Sequence, residues 1–121
     1  MELNHLGLPV RNAQTSKRFY CEYFDFDSSS AQQYEDGTVM IRNAHGFDLA
    51  LHEERGDLGS IPEFLHFGFR QHEPTAVRSL LDRLTLDGVQ IVDRCEEWGH
   101  VSFKCLDPDG HRIEIYWERP G

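Results

Sequence analysis

The sequence predicts an α+β fold made of two copies of one βαβββ module, and three observations carry that expectation. The opening strand recurs, as His5-Leu-Gly-Leu and His66-Phe-Gly-Phe, 61 positions apart. The closing strand recurs too, as Gly46-Phe-Asp-Leu-Ala-Leu and Gly110-His-Arg-Ile-Glu-Ile, 64 positions apart. Each pair brackets the same succession of patterns, a helix and then strands, which marks an internal duplication. The first module spans about 2–53 and the second about 64–118, with a Gly-, Asp-, Ser- and Pro-bearing linker at 54–63. At 121 residues the two modules are expected to make one domain.

In the first module, Leu3–Leu8 alternates as a strand with Leu6 and Leu8 on one face and His5 and Gly7 on the other. Pro9 cannot donate to a ladder and marks the strand's end or an edge. Asn12–Phe24 is the helix: Asn12 is the N-cap, and Phe19, Tyr20, Tyr23 and Phe24 recur at helical spacing as core. Ser28–Tyr34 is polar, an edge strand or loop, and Glu35-Asp-Gly37 is a turn. Thr38–Arg42 and Phe47–Glu53 are strands joined by the turn Asn43-Ala-His-Gly46.

In the second module, Phe64–Arg70 is a strand with Phe67 and Phe69 opposite His66 and Gly68. Thr75–Leu86 is a helix with Val77, Leu80, Leu81 and Leu84 on one side, ended by Gly88 as a left-handed cap. Val89–Asp93 and Val101–Leu106 are strands, and Arg112–Glu118 closes a hairpin over Asp107-Pro-Asp-Gly110. Pro108 presets φ in that turn, Asp107 caps its own backbone, and Gly110 tolerates positive φ.

The formal net charge of −9 supplies no basic cluster for nucleic acid or an anionic membrane. Neither a signal peptide nor an apolar run of spanning length is present, so a cytoplasmic location is expected. Cys21, Cys95 and Cys105 lack CxxC spacing and are expected to be reduced structural thiols. His45, His72 and His111 fall in or beside turns, where a solvated surface position is expected.

The chemistry lies on the face of the strands opposite the core. Glu114 points from mid-strand to the face opposite Ile113, Ile115 and Trp117, an odd place for a charge with no partner. In a duplicated fold, His5 and His66 would face one another across a shared cleft. Two imidazoles and a carboxylate leave open positions on a divalent ion, a set that suits Fe(II) or Mn(II). The glycine two residues after each histidine leaves room beside that ion. Parity places His100, Ser102, Lys104 and Tyr116 on the Glu114 side, and Thr38, Met40 and Arg42 on the matching strand of the first module. Lys104 and Arg42 would bring positive charge to an anionic or enolate-forming substrate.

His5-Leu-Gly-Leu-Pro-Val with its aromatic-bearing helix, His66-Phe-Gly-Phe, and Leu106-Asp-Pro-Asp-Gly-His-Arg-Ile-Glu114 together resemble the vicinal oxygen chelate superfamily. That superfamily groups glyoxalase I, bleomycin-binding proteins, fosfomycin-resistance thiol transferases, extradiol dioxygenases and methylmalonyl-CoA epimerase. The resemblance covers Leu3 to Glu118. It implies two modules forming a curved mixed sheet around a shared cleft, often completed as a homodimer. It also implies metal ligation by His5, His66 and Glu114. The fourth ligand position falls on Ala50, which cannot ligate; Asp48 and His52 share its face. Glyoxalase I activity is therefore not expected. Extradiol relatives carry a Tyr where this chain has Lys104, and thiol-transferase relatives a Thr where it has Gly7.

The resulting expectation is a metal-dependent dioxygenase, lyase or transferase acting on a small oxygenated molecule. Fe(II) or Mn(II) is favoured, with Ni(II) or Zn(II) as alternatives. Glu114, Lys104, His100 and Tyr116 are the catalytic candidates, and Met40, Arg42, Ala50, His52 and Ser102 line the cleft. The competing expectation is a metal-free protein of the bleomycin-resistance type that sequesters a small molecule.

Overall fold

The computed structural model describes residues 1–121. It divides into two compact units, Met1–Ser60 and Ile61–Gly121. The first unit runs β1 (His5–Val10), α1 (Ala13–Tyr23), β2 (Phe26–Gln33), β3 (Val39–Asn43) and β4 (Asp48–Glu53). The second runs β5 (His66–Arg70), α2 (Pro74–Leu86), β6 (Ile91–Glu97), β7 (His100–Leu106) and β8 (Arg112–Glu118). Each unit is therefore a βαβββ module, and the fold class is α+β as the sequence predicts.

The sheets repeat the same topology, β1-β4-β3-β2 and β5-β8-β7-β6. Within each, the first strand lies parallel to the last and the remaining pairs are antiparallel. Val39 pairs with Leu51, and Phe103 with Ile115, so the 64-residue offset of the closing strands holds through both ladders. Pro9 sits inside β1, which is an edge strand where its missing donor is tolerated.

Strand period two decides which residues reach the core. Leu8, Val10, Val39, Ile41, Leu49 and Leu51 are buried in the first module, against Tyr20 and Ala13 from α1. Val101, Phe103, Cys105, Ile113 and Ile115 are buried in the second, with Val77 and Leu84 from α2. Burying each Val, Leu, Ile or Phe among them stabilises by roughly 1.5–3 kcal/mol before chain entropy is counted. The packing volumes compensate: Val39 and Ile41 of β3 correspond to Phe103 and Cys105 of β7, one larger and one smaller.

The helix ends follow local chemistry. Asn12 caps α1 by accepting from the Thr15 N–H at 3.0 Å, and Glu53 Oε1 accepts from the Ala13 N–H at 2.9 Å, tying α1 to the end of β4. Pro74 starts α2 where no N–H is needed, and Gly88, at φ +81°, ends it. No helix is long and apolar enough to cross a membrane.

Several element limits differ from expectation. Of the two alternatives for Ser28–Tyr34, the edge strand holds, but it starts at Phe26, ends at Gln33 and carries a large bulge. The strand expected at Val89–Asp93 runs instead over Ile91–Glu97, because Asp93 at φ +53° bulges it and pairing resumes beyond. Phe64 and Leu65 lie ahead of β5, in a turn closed by the Leu65 N–H on the Pro62 carbonyl. His111, expected on the surface, is only 7% exposed. Asp107 Oδ1 accepts from the Asp109 and His111 N–H groups, which folds the tight turn inward and takes His111 with it.

Candidate functional site

In the second module, His66 opens β5 and Glu114 lies at the centre of β8. The parallel register pairs His66 with Arg112 and Gly68 with Glu114, so both side chains leave the same face of the sheet. His66 Nε2 stands 3.9 Å from Glu114 Oε2, with the two side chains 24% and 29% exposed. His66 Nδ1 donates to the Phe64 carbonyl at 2.6 Å. In the neutral ring, Nε2 is therefore a lone pair, and it faces a carboxylate that also only accepts. Two acceptors turned toward one another at this distance are satisfied by a bridging water, by a proton on His66 or by a metal ion. Bonds of about 2.1 Å from a divalent ion to nitrogen and oxygen span at most about 4.2 Å, so the pair fits a shared ion. A ligating imidazole with its other nitrogen tied to a carbonyl is the usual orienting arrangement.

Gly68 permits this approach. A Cβ there would sit 3.1 Å from the Glu114 carbonyl oxygen and 3.4 Å from Glu114 Cβ, with Tyr116 at 3.7 Å. Its room is thus filled by the neighbouring strand, rather than left open for a ligand. Gly7, the matching glycine, has nothing within 4 Å of its notional Cβ.

The same face carries the other second-module candidates. Lys104 is the cross-strand partner of Glu114, and Ser102 that of Tyr116. His100 Nε2 and Ser102 Oγ are 3.1 Å apart. Lys104 Nζ, on a side chain 14% exposed, lies 3.7 Å from Asp93 Oδ2 and 5.5 Å from the centre of the Phe64 ring. The Phe64 ring also meets the His66 imidazole edge-on at 5.1 Å. Its role, through ring and carbonyl alike, has no signature in the sequence.

The first module offers different chemistry at matching places. His5 Nδ1 lies 3.1 Å from Asn4 Oδ1, so its Nδ1 donates and its Nε2 is left free, as in His66. Gly7 pairs with Ala50, which puts Ala50 at the position matching Glu114, with Met40 opposite it. His52 Nδ1 is 2.8 Å from Thr38 Oγ1 and 3.8 Å from Asp36 Oδ2. Arg42 is not the free positive charge that parity suggested. Its Nε and Nη2 donate to Asp48 at 2.7 and 3.0 Å. Those bonds hold the Asp48 carboxyl below its usual range, with the Arg42 and His5 charges acting in the same direction.

The structure thus brings His66 and Glu114 together within one module, while His5 belongs to the other. No group of three His, Cys, Asp or Glu side chains is gathered closely enough to hold an ion. Of the cysteines, Cys105 is buried among apolar neighbours that push its thiol up to about 12, and Cys21 and Cys95 are half-buried and free.

Several solved structures are similar over nearly the whole chain. A possible glyoxalase from Bacillus cereus shares 25% identity at a TM-score of 0.78, covering 95% of this chain and 97% of that one. The fosfomycin resistance protein FosX from Listeria monocytogenes shares 19% at a TM-score of 0.81, over 97% and 93%. A glyoxylase/bleomycin resistance protein/dioxygenase domain from Frankia sp. EAN1pec shares 21% at 0.81, over 98% of both chains. The latter two likenesses show the fold alone. Comparison with curated proteins gives no match. The Glyoxalase/Bleomycin resistance protein/Dioxygenase superfamily model matches residues 2–115, and with the duplicated βαβββ fold this establishes that the chain belongs to that superfamily.

Proposed function

We propose that the protein is a metal-dependent enzyme acting on a small oxygenated molecule, with a divalent ion held by His5, His66 and Glu114. The observation that supports this most is the facing of His66 Nε2 and Glu114 Oε2 at 3.9 Å, with His66 Nδ1 already committed to the Phe64 carbonyl. Fe(II) or Mn(II) suits the donor set best, and Ni(II) or Zn(II) is the alternative. Bound there, such an ion would supply Lewis-acid chemistry to an oxygenated substrate. In this proposal His5 comes from the first module, within a chain or across a homodimer.

The chain's own residues complete the chemistry. The Phe64 carbonyl fixes the His66 tautomer, and Gly68 lets Glu114 lie close against β5. Lys104, on the face of Glu114, stabilises negative charge as it develops on the substrate. His100, oriented by Ser102, and Tyr116 move protons on that face. These parts serve extradiol-type ring cleavage, thiol addition or lyase chemistry alike.

One observation favours a second reading. Ala50 offers no fourth ligand, and a protonated His66 would satisfy Glu114 without any metal. The fold would then sequester a small molecule, as bleomycin-resistance proteins do. Metal analysis of protein purified without chelator, repeated on His5→Ala and Glu114→Ala, separates the two. Near-stoichiometric divalent metal in the wild type, lost from both variants, is the expected result. The enzyme proposal fails if the wild type holds none and added Fe(II), Mn(II), Ni(II) and Zn(II) leave its thermal midpoint unmoved.

A further inference from the structure

We propose a second binding site, confined to the first module, that takes a small oxyanion, a carboxylate or a phosphate, on the outer edge of Arg42. It involves no metal, and it borders the proposed metal centre, because Asp48 is the cross-strand neighbour of His5.

The site exists because of a break in strand pairing. β2 and β3 pair at Asp27 with Arg42 and again at Gln32 with Met40, so Ser28-Ser29-Ser30-Ala31 stand opposite Ile41 alone. Four residues cannot lie flat against one, and the excess swings out of the ladder. Its shape is pinned locally. Asp27 Oδ1 accepts from the Ser29 N–H and hydroxyl, and Ser30 Oγ accepts from the Arg42 N–H at 2.8 Å. A depression of about 540 Å³ results, lined by Ser29, Ser30, Gln32, Tyr34, Arg42 and Asp48 among others. That volume lies in the range of small-molecule sites.

Donor bookkeeping identifies the ligand. A guanidinium carries five N–H donors, and Asp48 takes the one on Nε and one on Nη2. The end-on edge remains, with paired N–H groups on Nη1 and Nη2 spaced to match two oxygens of a carboxylate or phosphate. Asp48 holds the fork in plane, so the ligand need not order it, and the cost of binding falls accordingly. Tyr34 donates its hydroxyl to Gln32 Oε1 at 3.1 Å, which turns the Gln32 amide and leaves its NH₂ group as a further donor. A chain with net charge −9 repels anions in general, so a saturable anion site on it must be local. The second module cannot reproduce it: the pair matching Arg42 and Asp48 is Leu106 and Arg112.

The test is an amide-resolved NMR titration of the full chain with sodium phosphate and, separately, sodium acetate, at ionic strength held constant with chloride. Saturable shifts are expected at Ser29–Gln32 and at the Arg42 side-chain Nε. Affinity should fall about tenfold or more in Arg42→Met, the scale of a lost charge-assisted pair. It should be unchanged in Arg78→Met, which removes another exposed, carboxylate-paired arginine from the second module. Saturation by both anions identifies a carboxylate-competent site, and by phosphate alone a site selective for the dianion. Shifts that grow linearly, that persist in Arg42→Met, that weaken equally in Arg78→Met, or that centre on His66 and Gly68 overturn the proposal.

Discussion

Met40–Ala50 in the first module and Lys104–Glu114 in the second are the same cross-strand pair in two copies of one ladder. One is apolar and the other carries both charges. Two positions along, the contrast reverses: Arg42–Asp48 is a bidentate ion pair where the second copy has Leu106 and Arg112. Beneath both faces the core repeats, with alternate residues of β3, β4, β7 and β8 buried. Duplication has therefore kept what the strand period enforces and released what it does not. A buried position is constrained by volume and polarity, whereas a half-exposed one tolerates any side chain whose charge is satisfied. The two modules supply different chemistry on a common scaffold.

The largest expected effect breaks this comparison at Glu114. Glu114→Ala makes the second module resemble the first, and loss of bound divalent metal together with loss of activity on any substrate found is expected. Metal analysis beside a turnover assay reads both. Ala50→Glu, the reverse exchange, should leave metal binding intact or tighten it. If Ala50→Glu instead removes the metal, the matching of the two positions is wrong.

The glycines give the next effect. Gly68→Ala forces a Cβ to 3.1 Å from a backbone oxygen, and a loss of about 1–3 kcal/mol is expected in chemical denaturation. Gly7→Ala meets nothing within 4 Å and should stay within about 0.5 kcal/mol of wild type. An equal loss at Gly7 would mean that the space beside it is filled.

Arg42–Asp48 should show in the pH dependence of stability. The folded Asp48 carboxyl is lowered from an ordinary value near 3.8 by the Arg42 hydrogen bonds. Its contribution is therefore present above that value and disappears as the pH falls through the lower folded one. Thermal midpoints of wild type and Asp48→Asn should differ modestly at neutral pH and converge in acid. A gap that widens in acid contradicts the pairing. The smallest effect is chemical: a haloacetamide at neutral pH should modify the half-buried Cys21 and Cys95 but leave Cys105 untouched until the protein unfolds, by peptide mass mapping.

Much of this was legible in the sequence because strand parity and duplication are written in side-chain order. Ile113 and Ile115 against Glu114, and His66 against Phe67, assign faces without coordinates, and the repeated Gly-x-x-x motifs align Ala50 with Glu114. What sequence could not give is whatever depends on exact backbone path. The β2 bulge hides in a run of serines that reads as an edge strand or loop, and the Arg42–Asp48 pairing turns a supposedly free cation into a held one. His111 looks like a turn residue, yet two bonds to Asp107 carry it inside. Phe64 reads as the first residue of a strand, but it lies just before β5, where its carbonyl meets a histidine only because the chain turns at Pro62–Leu65.

The central claim is that the second module holds the metal through His66 and Glu114. Diffraction from crystals grown with Mn(II), with anomalous data collected on the ion, tests it most directly. A peak bonded to His66 Nε2 and a Glu114 carboxylate oxygen, with His5 completing the set, is the predicted result. A peak bonded instead to Asp48 or His52, or no peak at all under saturating Mn(II), would contradict it.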